Sequence, residues 1–161
     1  MFGPEGPRIG IDIGRVVIDD SADEDELFFS RDYLSAPEVP GAFDAISKPG
    51  TWATCFLVSK TGTRKKQHSS SWLFAHRFPQ RSGITDDRWH FTETRAGKGV
   101  LAEQLRLDGF VDDRAEVLAA MPAGVRCLVL FGSRPQTTEK AVRASDWAAA
   151  LTVLTEALPD S

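Results

Sequence analysis

The sequence predicts an α/β fold, a three-layer Rossmann-like arrangement with helices on both faces of a parallel sheet. Three observations carry that expectation. Short apolar runs of strand length alternate with segments of helical periodicity along the whole chain. The run Val125 to Phe131 is almost unbroken in its apolar character, as in a strand buried on both faces. The chain has 161 residues, which at about 150 residues per domain predicts a single domain over 1–161.

The first apolar segment is Arg8 to Gly14, preceded by Pro7, and it reads as a strand ending near Asp12. Val16-Val17-Ile18 continues the apolar character. An acidic stretch from Asp19 to Glu26 then opens an insert over about residues 19–38. Ala42 to Lys48 reads as a short helix closed by Pro49-Gly50. The second strand is Trp52 to Val58, followed by a turn over Ser59-Lys60-Thr61-Gly62. A helix from Thr63 to Phe78 ends at Pro79, with Trp72 and Leu73 on its apolar stripe. The third strand is Arg88 to Thr92. Ala96 or Gly97 opens a helix carrying Val100, Leu101, Leu105 and Leu107. The fourth strand, Gly109 to Val111, ends at Asp112-Asp113 and precedes a helix from Ala115 to Met121. After the fifth strand the chain closes with a helix from Trp147 to Leu158, capped by Ser145 or Asp146.

Composition narrows the function classes. Nineteen Lys and Arg against 23 Asp and Glu give a net charge of −4, which excludes a polyanion binder working through bulk charge. An apolar content of 42% and a charged content of 26% are those of a globular protein. Cys55 and Cys127 stand alone inside apolar runs, so neither a zinc site nor a disulfide framework is expected. No signal peptide and no apolar run of membrane-spanning length is visible, and a cytoplasmic location is expected.

In an open parallel sheet, ligands bind beyond the carboxyl ends of the strands. The residues at those ends are Asp12, Ser59, Asp112 and Asp113, and Lys98 lies at the start of the helix after the third strand. Three carboxylates crowded into one crevice repel unless a cation sits among them. Mg²⁺ suits such a set, because it takes one or two carboxylates and keeps several waters.

At these residues the chain resembles the haloacid dehalogenase-like hydrolases, most of which are magnesium-dependent phosphatases. The resemblance runs from about Ile9 to Phe131. It rests on Ile9-Gly10-Ile11-Asp12-Ile13-Gly14, Phe56-Leu57-Val58-Ser59, Arg95-Ala96-Gly97-Lys98 and Gly109-Phe110-Val111-Asp112-Asp113-Arg114. Val39-Pro40-Gly41-Ala42 and Ser59-Lys60-Thr61-Gly62 look most like the 5′-deoxyribonucleotidase-like branch. The resemblance implies that Asp12 is a nucleophile forming an aspartyl-phosphate. It implies that Ser59 and Lys98 hold the phosphoryl oxygens, with Lys60 beside them at the substrate. It implies that Asp12, the carbonyl of Gly14, Asp112 and Asp113 hold Mg²⁺. The substrate it implies is a small phosphorylated molecule, such as a nucleotide.

One position departs from the family's pattern. The residue two after the nucleophile is usually a second Asp that protonates the leaving oxygen, and here it is Gly14. Asp19, Asp20 and His68 are the candidate substitutes. Two rival readings follow: a catalytically weak binding or regulatory protein on the same fold, and a dehalogenase-type hydrolase. The insert at 19–38 is too short for a folded cap, so a minimal cap and an open crevice are expected, closed by a large substrate, a protein partner or a second copy. Arg64-Lys65-Lys66 follows the second strand near the crevice and reads as a solvated helix face, with contact to an anionic substrate such as a nucleotide as the alternative; a nucleic-acid surface would want more basic and aromatic residues together. Trp72 and Trp147 read as core anchors.

Overall fold

The computed structural model describes residues 6–19 and 33–158. Six parallel strands form one sheet in the order β3-β2-β1-β4-β5-β6. They are β1 (Arg8–Ile11), β2 (Thr54–Lys60), β3 (Trp89–Thr92), β4 (Gly109–Asp112), β5 (Cys127–Phe131) and β6 (Val142–Ala144). The helices are α1 (Ala42–Ser47), α2 (Thr63–Ala75), α3 (Phe78–Ser82), α4 (Arg95–Gln104), α5 (Ala115–Ala119) and α6 (Trp147–Ala157).

The strand order reverses between β1 and β4, which pair through Ile9↔Gly109 and Ile11↔Val111. Their carboxyl ends therefore open onto the crevice where such sheets bind ligands. Alternation along the central strands builds two cores. Ile9, Ile11, Leu57, Val111, Val129 and Phe131 face a layer formed by α1, α2, α3 and α6. Phe56, Val58, Phe110, Leu128 and Leu130 face α4 and α5. Gly10 lies on the second face, where a Cβ would come within 2.6 Å of Leu107 Cδ1 and 2.8 Å of the Phe110 ring. Only glycine lets those side chains close over β1.

Trp72 and Trp147 are both buried, as expected, and each is tied by its indole nitrogen. Trp72 Nε1 donates to the Ala36 carbonyl at 2.8 Å, and Trp147 Nε1 donates to the Val16 carbonyl at 2.7 Å. Both cysteines are buried, and burial pushes the Cys55 thiol up to about 12 and Cys127 up to about 11. Such thiols stay protonated and unreactive.

Four expectations need correction. The sheet has a sixth strand, β6, which the apolar pattern hides because Val142 and Arg143 are exposed and only Ala144 is buried. Ser59 and Lys60 do not form a turn. β2 runs on through Lys60, because Ser59 pairs with Phe91 and Lys60 with Thr92 of β3. The helix begun at Thr63 stops at Ala75, and Arg77 turns the chain with φ 59°. Pro79 does not end that helix; it sits in the first turn of α3, where its missing N–H costs nothing. Finally, β5 starts at Cys127, not Val125.

Most of the insert expected at 19–38 lies outside the described residues. Its returning end forms a single 3₁₀ turn at Tyr33–Ser35, and Glu38 bridges antiparallel to Ile18. Among the described residues no helix is long and apolar enough to cross a membrane.

Candidate active site

Asp12 follows β1 directly, and its N–H donates to the Val111 carbonyl at 2.9 Å, extending the β1–β4 pairing one residue beyond the strand. The chain then curls tightly. The Ile13 carbonyl accepts from the N–H groups of Val16, Val17 and Ile18, and Arg15 adopts φ 63°. The Asp12 side chain is thereby held at the crevice floor, 6% exposed.

Asp112 ends β4 and is fully buried; Asp113 follows at 6% exposure. Lys98 reaches Asp12 and Asp112 from α4. The helix is capped by Thr94, which accepts from the Gly97 N–H at 3.0 Å. Gly97 packs so closely on β3 that a Cβ would fall 1.9 Å from Thr92 Oγ1. That approach carries Lys98 into the crevice, where it is 3% exposed. Its Nζ donates to Asp12 Oδ1 at 3.0 Å and to Asp112 Oδ2 at 2.7 Å.

Oxygens of Asp12, Asp112 and Asp113 lie within 4.8 Å of one another. The electrostatics follow. Burial, and then the Asp12 charge, push Asp112 up to about 8 despite the opposing ammonium of Lys98. The same two causes push Asp113 up to about 6, with Arg134 opposing. Burial alone would lower Lys98, but the Asp12 and Asp112 carboxylates more than offset it and raise it. One ammonium among three carboxylates leaves an excess of negative charge. Hard oxygen donors this close, with carboxylates reluctant to ionise, fit a divalent cation.

A cleft of about 320 Å³ opens over this floor. It brings together Asp12, Gly14, Ser59, Lys60, Lys98 and Asp113, while Asp112 lies beneath. Ser59 is 8% exposed at the end of β2, and its hydroxyl has no hydrogen-bond partner among the described residues. Lys60, next along the strand, is exposed at the cleft edge. The substitutes considered for the missing acid are not gathered here. His68 stacks on Tyr33 with centroids 3.9 Å apart, neither it nor Asp19 lines the cleft, and Asp20 lies outside the described residues.

Some cleft residues escape sequence reasoning. Lys65 lines the cleft, although its basic run reads first as a solvated face and only in the alternative as a contact for an anionic substrate. So do Arg95, Arg114 and the buried Ser69 of α2. Spacing of six from Ser59 to Lys65 and ten to Ser69 is a detectable signal once the strand is known to feed α2. Gln136 carries no signal of any kind, yet it bonds to both the Asp113 carbonyl and the Ala115 N–H.

No protein-family model and no curated protein matches the sequence. Among solved structures, the chain is similar to one described as "putative beta-phosphoglucomutase from Thermotoga maritima", with a TM-score of 0.64 and 12% sequence identity. The match covers 94% of this chain and 100% of that chain. A likeness at that identity speaks for architecture alone: the chain has an α/β, Rossmann-type fold of the haloacid dehalogenase-like kind, with its acidic crevice at the point where the strand order reverses.

Proposed function

We propose that this protein is a magnesium-dependent phosphohydrolase that acts on a small phosphorylated molecule, such as a nucleotide, through an aspartyl-phosphate on Asp12. The observation that carries the reading is the convergence of Asp12, Lys98, Asp112 and Asp113 from three separate strand and helix ends on one cleft. Asp12, Asp112 and Asp113, with the carbonyl of Gly14, would hold Mg²⁺. That ion, when bound, supplies neutralisation of phosphoryl charge.

The chain's own residues do the rest. Lys98 fixes Asp12 through Oδ1 and places an ammonium beside the reacting phosphorus. The Ser59 hydroxyl donates to a phosphoryl oxygen, and Lys60 adds positive charge at the cleft edge. An Asp12 oxygen bonds to phosphorus as the ester P–O bond breaks, and the leaving oxygen departs with the electron pair. Water then attacks phosphorus, the Asp12–phosphorus bond breaks, and phosphate is released. Positioning and charge account for most of the acceleration.

Gly14 supplies no proton to the leaving oxygen, so that proton comes from solvent. General-acid help is worth roughly 10²–10⁴-fold, and its lack matters most for alkoxide leaving groups. The same observation favours a second reading, a weakly catalytic binding protein on this fold. Hydrolysis of an aryl and an alkyl phosphate, with and without Mg²⁺, by the parent and Asp12→Asn separates the two. The proposal expects turnover of the aryl ester that needs both the ion and Asp12. Silence on both esters, with Mg²⁺ still bound, would select the second reading.

A further inference from the structure

We propose that Gln136 is a positioning residue for the Asp112–Asp113 pair, and that Arg143 holds Gln136 in place. The inference rests on reading that pair as part of a cation site. Helix α5 has five residues, and its N-cap, Arg114, offers no capping side chain. Gln136 supplies the cap from 21 positions away. Its Oε1 accepts from the Ala115 N–H at 3.0 Å, and its Nε2 donates to the Asp113 carbonyl.

The Asp113 carbonyl and the Arg114 N–H belong to one rigid peptide plane. Gln136 holds the carbonyl end. The N–H end donates to Asp112 Oδ1 at 3.0 Å. Gln136 therefore sets the rotation of the plane that aims a donor at Asp112, the carboxylate whose other oxygen meets Lys98. Arg134, from the same loop, brings Nη2 to 3.7 Å from Asp113 Oδ2. Arg143 of β6 pins that loop, donating to the carbonyls of Gly132 at 2.7 Å, Arg134 at 2.9 Å, and Gln136. A three-residue edge strand thus acts on the crevice through one guanidinium and one amide.

The test is calorimetric titration of Mn²⁺ into the metal-free protein. Gln136→Met keeps the side chain's length and removes both bonds. Partners that orient ligands in this way typically change metal affinity by about 10–100-fold, and a loss of that size is expected. Arg143→Ala should lose affinity in the same direction and combine less than additively with Gln136→Met, since part of its action passes through that residue and part through Arg134. Should Gln136→Met fail to fold, Gln136→Asn, one methylene too short to bridge, reads the same loss. Unchanged Mn²⁺ affinity in a folded variant would overturn the proposal and leave Gln136 as a loop anchor. If the parent binds no Mn²⁺, the cation reading fails on its own account. The positioning role is then decided by hydrogen exchange of the Arg114 amide: at least about tenfold faster in Gln136→Met supports it, and an unchanged rate overturns it.

Discussion

Lys98→Met removes the only ammonium that touches two of the three crevice carboxylates among the described residues, and leaves the length of the side chain nearly unchanged. Its Nζ lies 3.0 Å from Asp12 Oδ1 and 2.7 Å from Asp112 Oδ2, at 3% exposure. At an effective dielectric of about 20, each contact carries about 6 kcal/mol of gross attraction. Burying the ammonium offsets much of this, and removing one partner of a buried pair costs about 3–5 kcal/mol. For a chain of this size that corresponds to a fall in Tm of about 6–20 °C. The assay is thermal and urea unfolding of parent and variant in EDTA at pH 8. Millimolar Mg²⁺ should recover part of the loss, because on the proposed reading the ion takes the ammonium's place among the carboxylates. A loss below about 1 kcal/mol in EDTA, the scale of an exposed pair, would refute the view of Lys98 as the buried counter-charge.

Three further outcomes are expected. Burial and the Asp12 charge hold Asp113 near 6 and Asp112 near 8, well above the value of about 3.9 for an unfolded aspartate. The metal-free folded state therefore keeps protons that the unfolded chain has released. The contribution of this pair to stability is fully present below about pH 4 and is lost as pH rises through 6 and then 8. Urea midpoints across that range in EDTA should show the decline, and Mg²⁺ should flatten it. Gly14 lines the cleft together with Asp12. Gly14→Asp should raise kcat on an alkyl phosphate by roughly 10²–10⁴-fold and on an aryl phosphate far less; equal gains on both would show that the new carboxyl does not act on the leaving group. Trp147→Phe leaves the Val16 carbonyl without its buried donor. It should cost about 1–3 kcal/mol in urea unfolding, and no measurable loss would mean that the carbonyl finds another partner.

The legible part of this molecule is what repeats locally. Near-continuous apolar runs announced β2 and β5, the latter as a strand buried on both faces, and the carboxylates at the ends of β1 and β4 announced the crevice. Lys98 was legible because it follows a strand closely and precedes a helical stripe. Asp12, Asp112, Asp113 and Lys98 do converge as the strand ends implied.

Other features depend on partners far away in sequence. Ser59 and Lys60 look like turn residues, and only pairing with Phe91 and Thr92 draws them into β2. Val142-Arg143-Ala144 has no strand signature, and its place is set by the free edge of β5. Lys65 and Ser69 reach the cleft because packing of α2 on the sheet chooses which face turns inward. Gln136 caps a helix that begins 21 residues earlier. Periodicity and backbone preference are properties of neighbouring residues, so the chain alone determined the five apolar strands and the acids at the ends of β1 and β4. Edge pairing, helix rotation and long-range capping are properties of contacts, and only the assembled fold decided them.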